Sequence, residues 1–363
     1  MTIDLRDLVE ERIDALPAAA GDLDRVRSTG RRIRRRRRAA VGSVAAALAL
    51  AGGTAVFAVG GSTPAEEDTA SDRTGYASLG PLDFSDGARA YGDGSHVYLG
   101  GRKIDAQDLD WLDTDAAVTS YGVVFYDAGR TMLLEPSGDF SALHDGPVDD
   151  DADFHPTAKA DGGRPVVAWA TLRDGRPTIV VQDIATREVL ATTQPDCDRC
   201  RDLVIDGIDE GVVFVRDGSG TRTWDSSTGD WRDFAGPRTR VADVRNGVVL
   251  YDGPAPTQPG GWRAIGGAVD AQLTLDGEHV LHWSSTLEPT TPGGEPIVLE
   301  KGPADGRGYA QWTIDTDGSV LVATAGPGGK DVVHDCVLPG GACVEVGRFE
   351  TTSGDPEFIG NDM

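Results

Sequence analysis

The chain has 363 residues, 59 of them acidic and 34 basic, for a formal net charge of −25. With 39% apolar and 26% charged residues it is neither a wholly disordered chain nor a polytopic membrane protein. Forty-eight glycines, 20 prolines and 6% aromatics favour turns and short strands over helical bundles, and so acidic a balance opposes direct contact with DNA or RNA.

The charge is unevenly placed. Residues 1–38 hold 11 Arg against 7 acids, a net of +4, while the remainder holds 23 basic and 52 acidic residues, a net of −29. Leu5, Leu8, Val9, Ile13 and Leu16 recur at helical spacing up to Pro17, with Asp4, Asp7, Glu10, Glu11 and Asp14 on the remaining faces. A short amphipathic helix of this kind is marginal alone. It reads as a juxtamembrane helix on the cytoplasmic side, or as the seat of a cytoplasmic protein partner within residues 1–38.

Seven of the arginines fall between Arg31 and Arg38, directly before Ala39–Ala65, 27 residues without a charge. Residues 39–61 would form a helix of about 34 Å, against a hydrocarbon core of roughly 30 Å. The arginines should hold its N-terminal end in the cytoplasm. A cleaved signal peptide is the alternative, but the segment before the apolar run is long and no A-x-A motif follows it cleanly. The expectation is a single-pass cell-membrane protein: a cytoplasmic segment 1–38, a signal anchor 39–61, a polar linker 62–75 and an extracytoplasmic domain 76–363.

From residue 76 onward the sequence reads as β-structure that repeats. Continuous apolar runs start at Val97, Val123, Val166, Val212, Val248, Val280 and Val320. Continuity, unlike alternation, marks strands covered on both faces. Gly122, Gly211, Gly247, Asp276-Gly277 and Asp317-Gly318 stand just before runs and supply hairpin-turn chemistry. Downstream lie outer hairpins at 132–143, 179–193, 223–234 and 332–346, each a strand, an acid, a polar turn and a second strand. Four strands per unit of ~40–45 residues is the pattern of a propeller blade, and seven such units need about 280 residues. The fold class is therefore all-β, a β-propeller of about seven four-stranded blades, with six or eight blades or a paired β-sandwich as alternatives. The ring is expected to close by pairing a strand near Ser78–Phe84 with the C-terminal region around Glu357–Gly360.

The Arg run, the Ala-rich uncharged segment, the linker and the outer hairpins, of which Asp225-Ser-Ser-Thr-Gly229 is the cleanest, resemble the signal-anchored actinobacterial envelope proteins that carry an extracytoplasmic WD-repeat-like β-propeller. The chain departs from true WD repeats in lacking Gly-His and Trp-Asp pairs in register. The resemblance implies a binding or sensory role in the envelope and an alliance with sigma-factor regulation. The zinc-type motif of many such N-terminal segments is missing, because residues 1–38 contain neither His nor Cys.

All four cysteines follow the proposed anchor. Cys336 and Cys343 flank the turn Val-Leu-Pro-Gly-Gly-Ala and suit a cross-strand disulfide in an oxidising compartment, while Cys197 and Cys200 form a C-x-x-C in a loop. Two local disulfides, Cys197–Cys200 and Cys336–Cys343, are the expectation; a zinc site and the other pairings are the alternatives. Walker-type, G-x-S-x-G and H-E-x-x-H motifs are missing from the sequence. The acidic stretch Asp149-Asp150-Asp151-Ala152-Asp153 lacks the Gly and distal Glu of a calcium loop, and Asp315-Thr316-Asp317-Gly318 reads as a hairpin turn. No catalytic, cofactor-binding or metal-ligating residue is assigned and no cofactor is expected. The function expected is binding of an unidentified extracytoplasmic ligand or protein. The competing class is an extracytoplasmic hydrolase or lyase, which several carboxylates facing one axial pocket would favour.

Overall fold

The computed structural model describes residues 76–92, 96–105, 116–127, 130–143, 157–162, 164–173, 175–196, 203–257, 260–267, 271–282, 284–301, 311–325, 330–350 and 357–359, all within the unit Glu67–Met363. The expectations for residues 1–75, for Cys197 and Cys200 and for the acidic stretch 149–153 lie outside them. Among the described residues no helix is long and apolar enough to cross a membrane.

The strands form seven separate sheets, a seven-bladed β-propeller. The first blade joins β1 (Tyr91–Gly92), β2 (His96–Leu99) and β3 (Arg102–Asp105) to the last strand of the chain. The second holds β4 (Ala117–Thr119), β5 (Gly122–Asp127), β6 (Arg130–Leu134) and β7 (Phe140–Ala142); the third β8 (Ala158–Ala160), β9 (Val166–Arg173), β10 (Arg176–Asp183) and β11 (Val189–Thr193). The fourth holds β12 (Val204–Asp209), β13 (Val212–Asp217), β14 (Gly220–Asp225) and β15 (Trp231–Ala235); the fifth β16 (Arg240–Arg245), β17 (Val248–Asp252) and β18 (Arg263–Gly266). The sixth holds β19 (Gln272–Leu273), β20 (His279–Leu281), β21 (Thr286–Pro289) and β22 (Ile297–Val298), and the seventh β23 (Gln311–Ile314), β24 (Val320–Ala325), β25 (Lys330–Val337) and β26 (Ala342–Glu350). Strand β27 (Glu357–Phe358) completes the first blade from inside.

The apolar runs are continuous because each blade is packed between two others. In β9, Val167 and Trp169 join Val124 and Leu133 of the second blade, while Ala168 and Ala170 join Ile205 and Val213 of the fourth. Successive side chains point to opposite faces of a strand, and here both faces are core. Six of the seven runs are the second strand of their blade, counted from the axis.

Three details differ from the sequence expectation. The run at Val97 lies in β2, the third strand of its blade, because the blade is split between the two ends of the chain and its second strand is the two-residue β1. Ring closure pairs β27 with β1, Tyr91 with Phe358 and Gly92 with Glu357, and not with Ser78–Phe84. That earlier segment instead laces the outer hairpin of the second blade: Leu79 N–H donates to Gly138 O at 2.7 Å and Leu82 N–H to Pro136 O at 2.6 Å. A side chain on Gly138, at φ 80°, would collide with the Gly80 carbonyl. Third, the fifth blade has three described strands, and β18 runs parallel to β17. Pro254 and Pro256 follow β17, and proline cannot donate to a ladder, so no antiparallel strand continues directly from β17.

The outer hairpins at 132–143, 179–193, 223–234 and 332–346 are all present as third and fourth strands. Asp225 Oδ1 accepts the N–H groups of Ser227 (2.9 Å) and Thr228 (3.2 Å), and Gly229 follows at φ 80°. Asp183 does the same for Ala185 and Thr186, with Arg187 in the left-handed position at φ 65°. Cys336 and Cys343 are register partners of β25 and β26 and are joined by a disulfide.

Carboxylates at the ends of inner strands tie blade to blade. Asp209 receives the N–H groups of Asn246 (3.0 Å) and Gly247 (2.8 Å) in the next blade. Those two residues have φ 47° and 75°, as the centre of a type I′ turn requires. Asp161 grips the equivalent turn at Glu210 in the fourth blade. Asp315 closes the circle, accepting from Ala88 at 3.0 Å and from Arg89 at 2.8 Å.

Candidate binding site in the axial channel

Inner strands of all seven blades enclose a cavity of ≈ 210 Å³ on the propeller axis. Small side chains, among them Ala117, Ala158, Ala160, Ala242 and Ala271, keep it open. Its lining includes four basic residues, Lys159, Arg216, Arg240 and Arg245, and four acidic ones, Asp206, Asp243, Asp252 and Asp315.

Asp206 owes its position to a β-bulge. Ile205 pairs with Val215 and Gly207 with Phe214, leaving Asp206 as the unpaired extra residue. Gly207 is needed there because a Cβ would collide with Cγ1 of Val244 in the next blade. The displaced carboxylate, 3% exposed, receives Arg216 Nε at 3.1 and 2.9 Å and Nη2 at 3.1 Å. Burial pushes the Asp206 carboxyl above its ordinary range, against the opposing pull of Arg216, Lys159 and Arg240.

A second bulge, between Val241 and Asp243, aims the neighbouring strand. Asp243 accepts from Val244 N–H (2.8 Å) and, across the blade boundary, from Leu273 N–H (2.9 Å), and lies 3.3 Å from Arg245 Nη1. Gln272 Oε1 then accepts Ile314 N–H at 2.9 Å in the seventh blade. Asp252 is exposed and stands opposite Arg240 in the β16–β17 register. Burial raises the Asp315 carboxyl to about 6, with Asp317 adding to the rise, while the N–H groups of Arg89, Thr316 and Ala88 pull it down.

Several carboxylates do therefore face one axial cavity, but three of the four are acceptors of the framework. The hairpin turn read at 315–318 is present, with Gly318 N–H donating to Asp315 O at 3.0 Å. The latching role of its first residue has no counterpart in the sequence expectation. Of the histidines, His279 Nε2 meets Glu295 O at 3.0 Å. His334 lies in β25, its ring pulled below the ordinary pKa by burial and by Lys301. Cys336 and Cys343 sit in the outer strands of the seventh blade, away from the cavity-lining residues.

No protein-family model matches the chain, and no curated protein matches it. Among solved structures, the chain is similar to the crystal structure of TolB from Acinetobacter baumannii, at 13% identity over 79% of this chain and 68% of that one, with a TM-score of 0.33. It is similar to the dihydro-heme d1 dehydrogenase NirN in complex with DHE, at 13% identity over 78% and 68%, TM-score 0.39. It is also similar to the WD40 repeats of RRP9, at 12% identity over 71% and 75%, TM-score 0.28. The seven-bladed architecture itself is read from the strand pairing.

Proposed function

We propose that the protein is a membrane-anchored, extracytoplasmic β-propeller of the cell envelope that recognises a ligand or partner at its axial channel and does not catalyse a reaction. The observation that carries the binding role is the state of the channel carboxylates. Asp206, Asp243 and Asp315 spend their acceptors on Arg216, on backbone N–H groups and on the next blade. Groups fixed in this way are pre-organised for recognition and costly to release for proton transfer. The compartment is supported by the Cys336–Cys343 disulfide and by the Arg run before the uncharged segment 39–61.

The competing reading, an extracytoplasmic hydrolase or lyase, is favoured by the convergence of the same four carboxylates on one cavity. A turnover screen of the full-length protein on glycoside, ester, peptide and phosphoester substrates decides between them. No turnover is expected; activity abolished by Asp252→Ala, the one of these four carboxylates outside the framework, would establish the enzyme. The topology is tested separately by a C-terminal reporter active only outside the cytoplasm. An inactive reporter, or a mature N-terminus beyond Gly60, would overturn the anchor.

A further inference from the structure

The Arg216 guanidinium is half-used. Its Nε and Nη2 are held by Asp206, and among the described residues Nη1 makes no hydrogen bond. The group is one of those lining the cavity, and its side chain retains 30% exposure. A buried carboxylate that grips one edge of a guanidinium fixes its plane, so the opposite edge is presented in a set direction.

The surroundings suit an anion. Lys159 and Arg240 bear on the Asp206 carboxyl, and Asp252 stands opposite Arg240, so three cations and two carboxylates gather at this end. Residues 76–363 as a whole hold 22 basic and 48 acidic residues, a net of −26. The channel, with its four cations and four carboxylates, is thus enriched in positive charge relative to its own domain. Arg216 pairs with Val204 at the start of β12, and Arg240 opens β16, so both stand at the same end of the channel. The alanine walls leave room beside them. Planar guanidinium edges bind oxyanions through paired, charge-assisted hydrogen bonds.

We infer that this end of the channel is a binding site for a small oxyanion, a carboxylate or phosphate group, received on the free edge of Arg216 with Lys159 and Arg240 adding charge. Asp206 is the positioning residue. This site rests on the binding role proposed above and gives it a chemical class.

The test is calorimetric titration of the detergent-solubilised full-length protein with inorganic phosphate and with succinate, against chloride at matched ionic strength. Saturable binding with a Kd of about 1 mM or tighter is expected for at least one of them. A preference between the two distinguishes a phosphate-bearing from a carboxylate-bearing ligand. Arg216→Gln should weaken binding about tenfold or more, and Lys159→Gln several-fold; Arg348→Gln, in an exposed pair with Glu345, should leave it unchanged. Because Arg216→Gln strands a buried carboxylate, the paired change Asp206→Asn with Arg216→Gln is measured alongside it. If both Arg216 variants fail to fold, Lys159→Gln decides. Failure of wild-type protein to bind either anion up to about 10 mM, or unchanged affinity in the folded variants, overturns the site. That result would leave the non-catalytic reading standing, since the turnover screen tests it separately.

Discussion

Oδ2 of Asp315 accepts the backbone N–H of Arg89 at 2.8 Å, across 226 positions of sequence. Its Oδ1 takes the N–H of Ala88 at 3.0 Å, so a single carboxylate ties the seventh blade to the first. The Arg89 guanidinium reinforces the seam from Nε and Nη2, at 3.0 and 2.8 Å from Asp335 Oδ2. Asp315→Ala leaves the N–H groups of Arg89 and Thr316 without this acceptor, while Ala88 N–H keeps Thr316 Oγ1 at 3.0 Å, and should cost about 2–4 kcal/mol. A lower urea midpoint at unchanged slope is the expected result. An unchanged midpoint would mean that the Arg89–Asp335 pair and the β1–β27 ladder hold the seam without Asp315.

The same carboxyl predicts a pH dependence. Its pKa is raised from 3.8 to about 6, so between those values the folded state binds more protons than the unfolded state. The contribution of this group to stability is therefore fully present below about 3.8 and is lost as pH rises through about 6. The rise from 3.8 to about 6 corresponds to at most about 3 kcal/mol. Asp161 and Asp206, raised by burial, act in the same direction, and His334, lowered by burial, acts against it. A difference measurement removes them. The stability of wild type minus that of Asp315→Asn should grow as pH falls from 7 to 4.5, and a flat or shrinking difference would contradict the assignment.

A side chain at Gly87 should be as damaging as loss of the latch. The residue has φ 86°, and a Cβ there would collide with Oδ2 of Asp315. Gly87→Ala combines left-handed backbone strain of about 1–2 kcal/mol with displacement of the carboxylate. Its loss of stability should be smaller when Asp315→Ala is already present, which a double-mutant cycle in urea would measure. Strict additivity would place the two residues out of contact.

What was legible in the sequence follows from how burial works in this fold. Strands packed on both faces become unbroken apolar runs, so β5, β9, β13, β17, β20 and β24 could be read directly. Continuity does not report a strand's rank from the axis, so Val97 in β2 looked equivalent to the others, and two-residue β1 left no run at all. Hairpin glycines were visible, but their second use, turning N–H groups toward the preceding blade, depends on contacts such as Asp209 with Gly247. The channel was invisible for the same reason. Asp206 and Arg216 share no linear motif, and the signal that was present is Gly207 in the middle of a strand, which marks a bulge or a close approach.

The disulfide makes a local prediction. Cys336 is buried, and Cys343 packs beside it against Leu281, Leu299 and Trp312. The bond closes a loop of sequence separation 7, for which chain entropy gives about 2–3 kcal/mol. Reduction should lower the unfolding temperature without dissolving the fold, because β25 and β26 remain paired over eight register positions. Two free thiols in the unreduced, extracytoplasmically produced protein at 336 and 343 would refute the bridge.

Closure of the ring is open to a sharper test than truncation. Phe358, 4% exposed, packs with Tyr91, Leu321, Ala323 and Val333, so it seals the joint between the first and seventh blades. Leu82, 8% exposed, belongs to another core, shared by the first and second blades and faced by the stacked rings of Tyr76 and Phe140, 4.6 Å apart. Phe358→Ala should cost about 3–5 kcal/mol and Leu82→Ala about 2–5 kcal/mol. The two losses should add, since sites without shared partners are independent. Hydrogen exchange separates them further: Phe358→Ala should speed exchange in β1 and β24, and Leu82→Ala in β5 and β6. If instead Leu82→Ala deprotected β24, the segment before residue 84 would belong to the closing joint after all, and the two-residue ladder of β27 would not be what holds the ring shut.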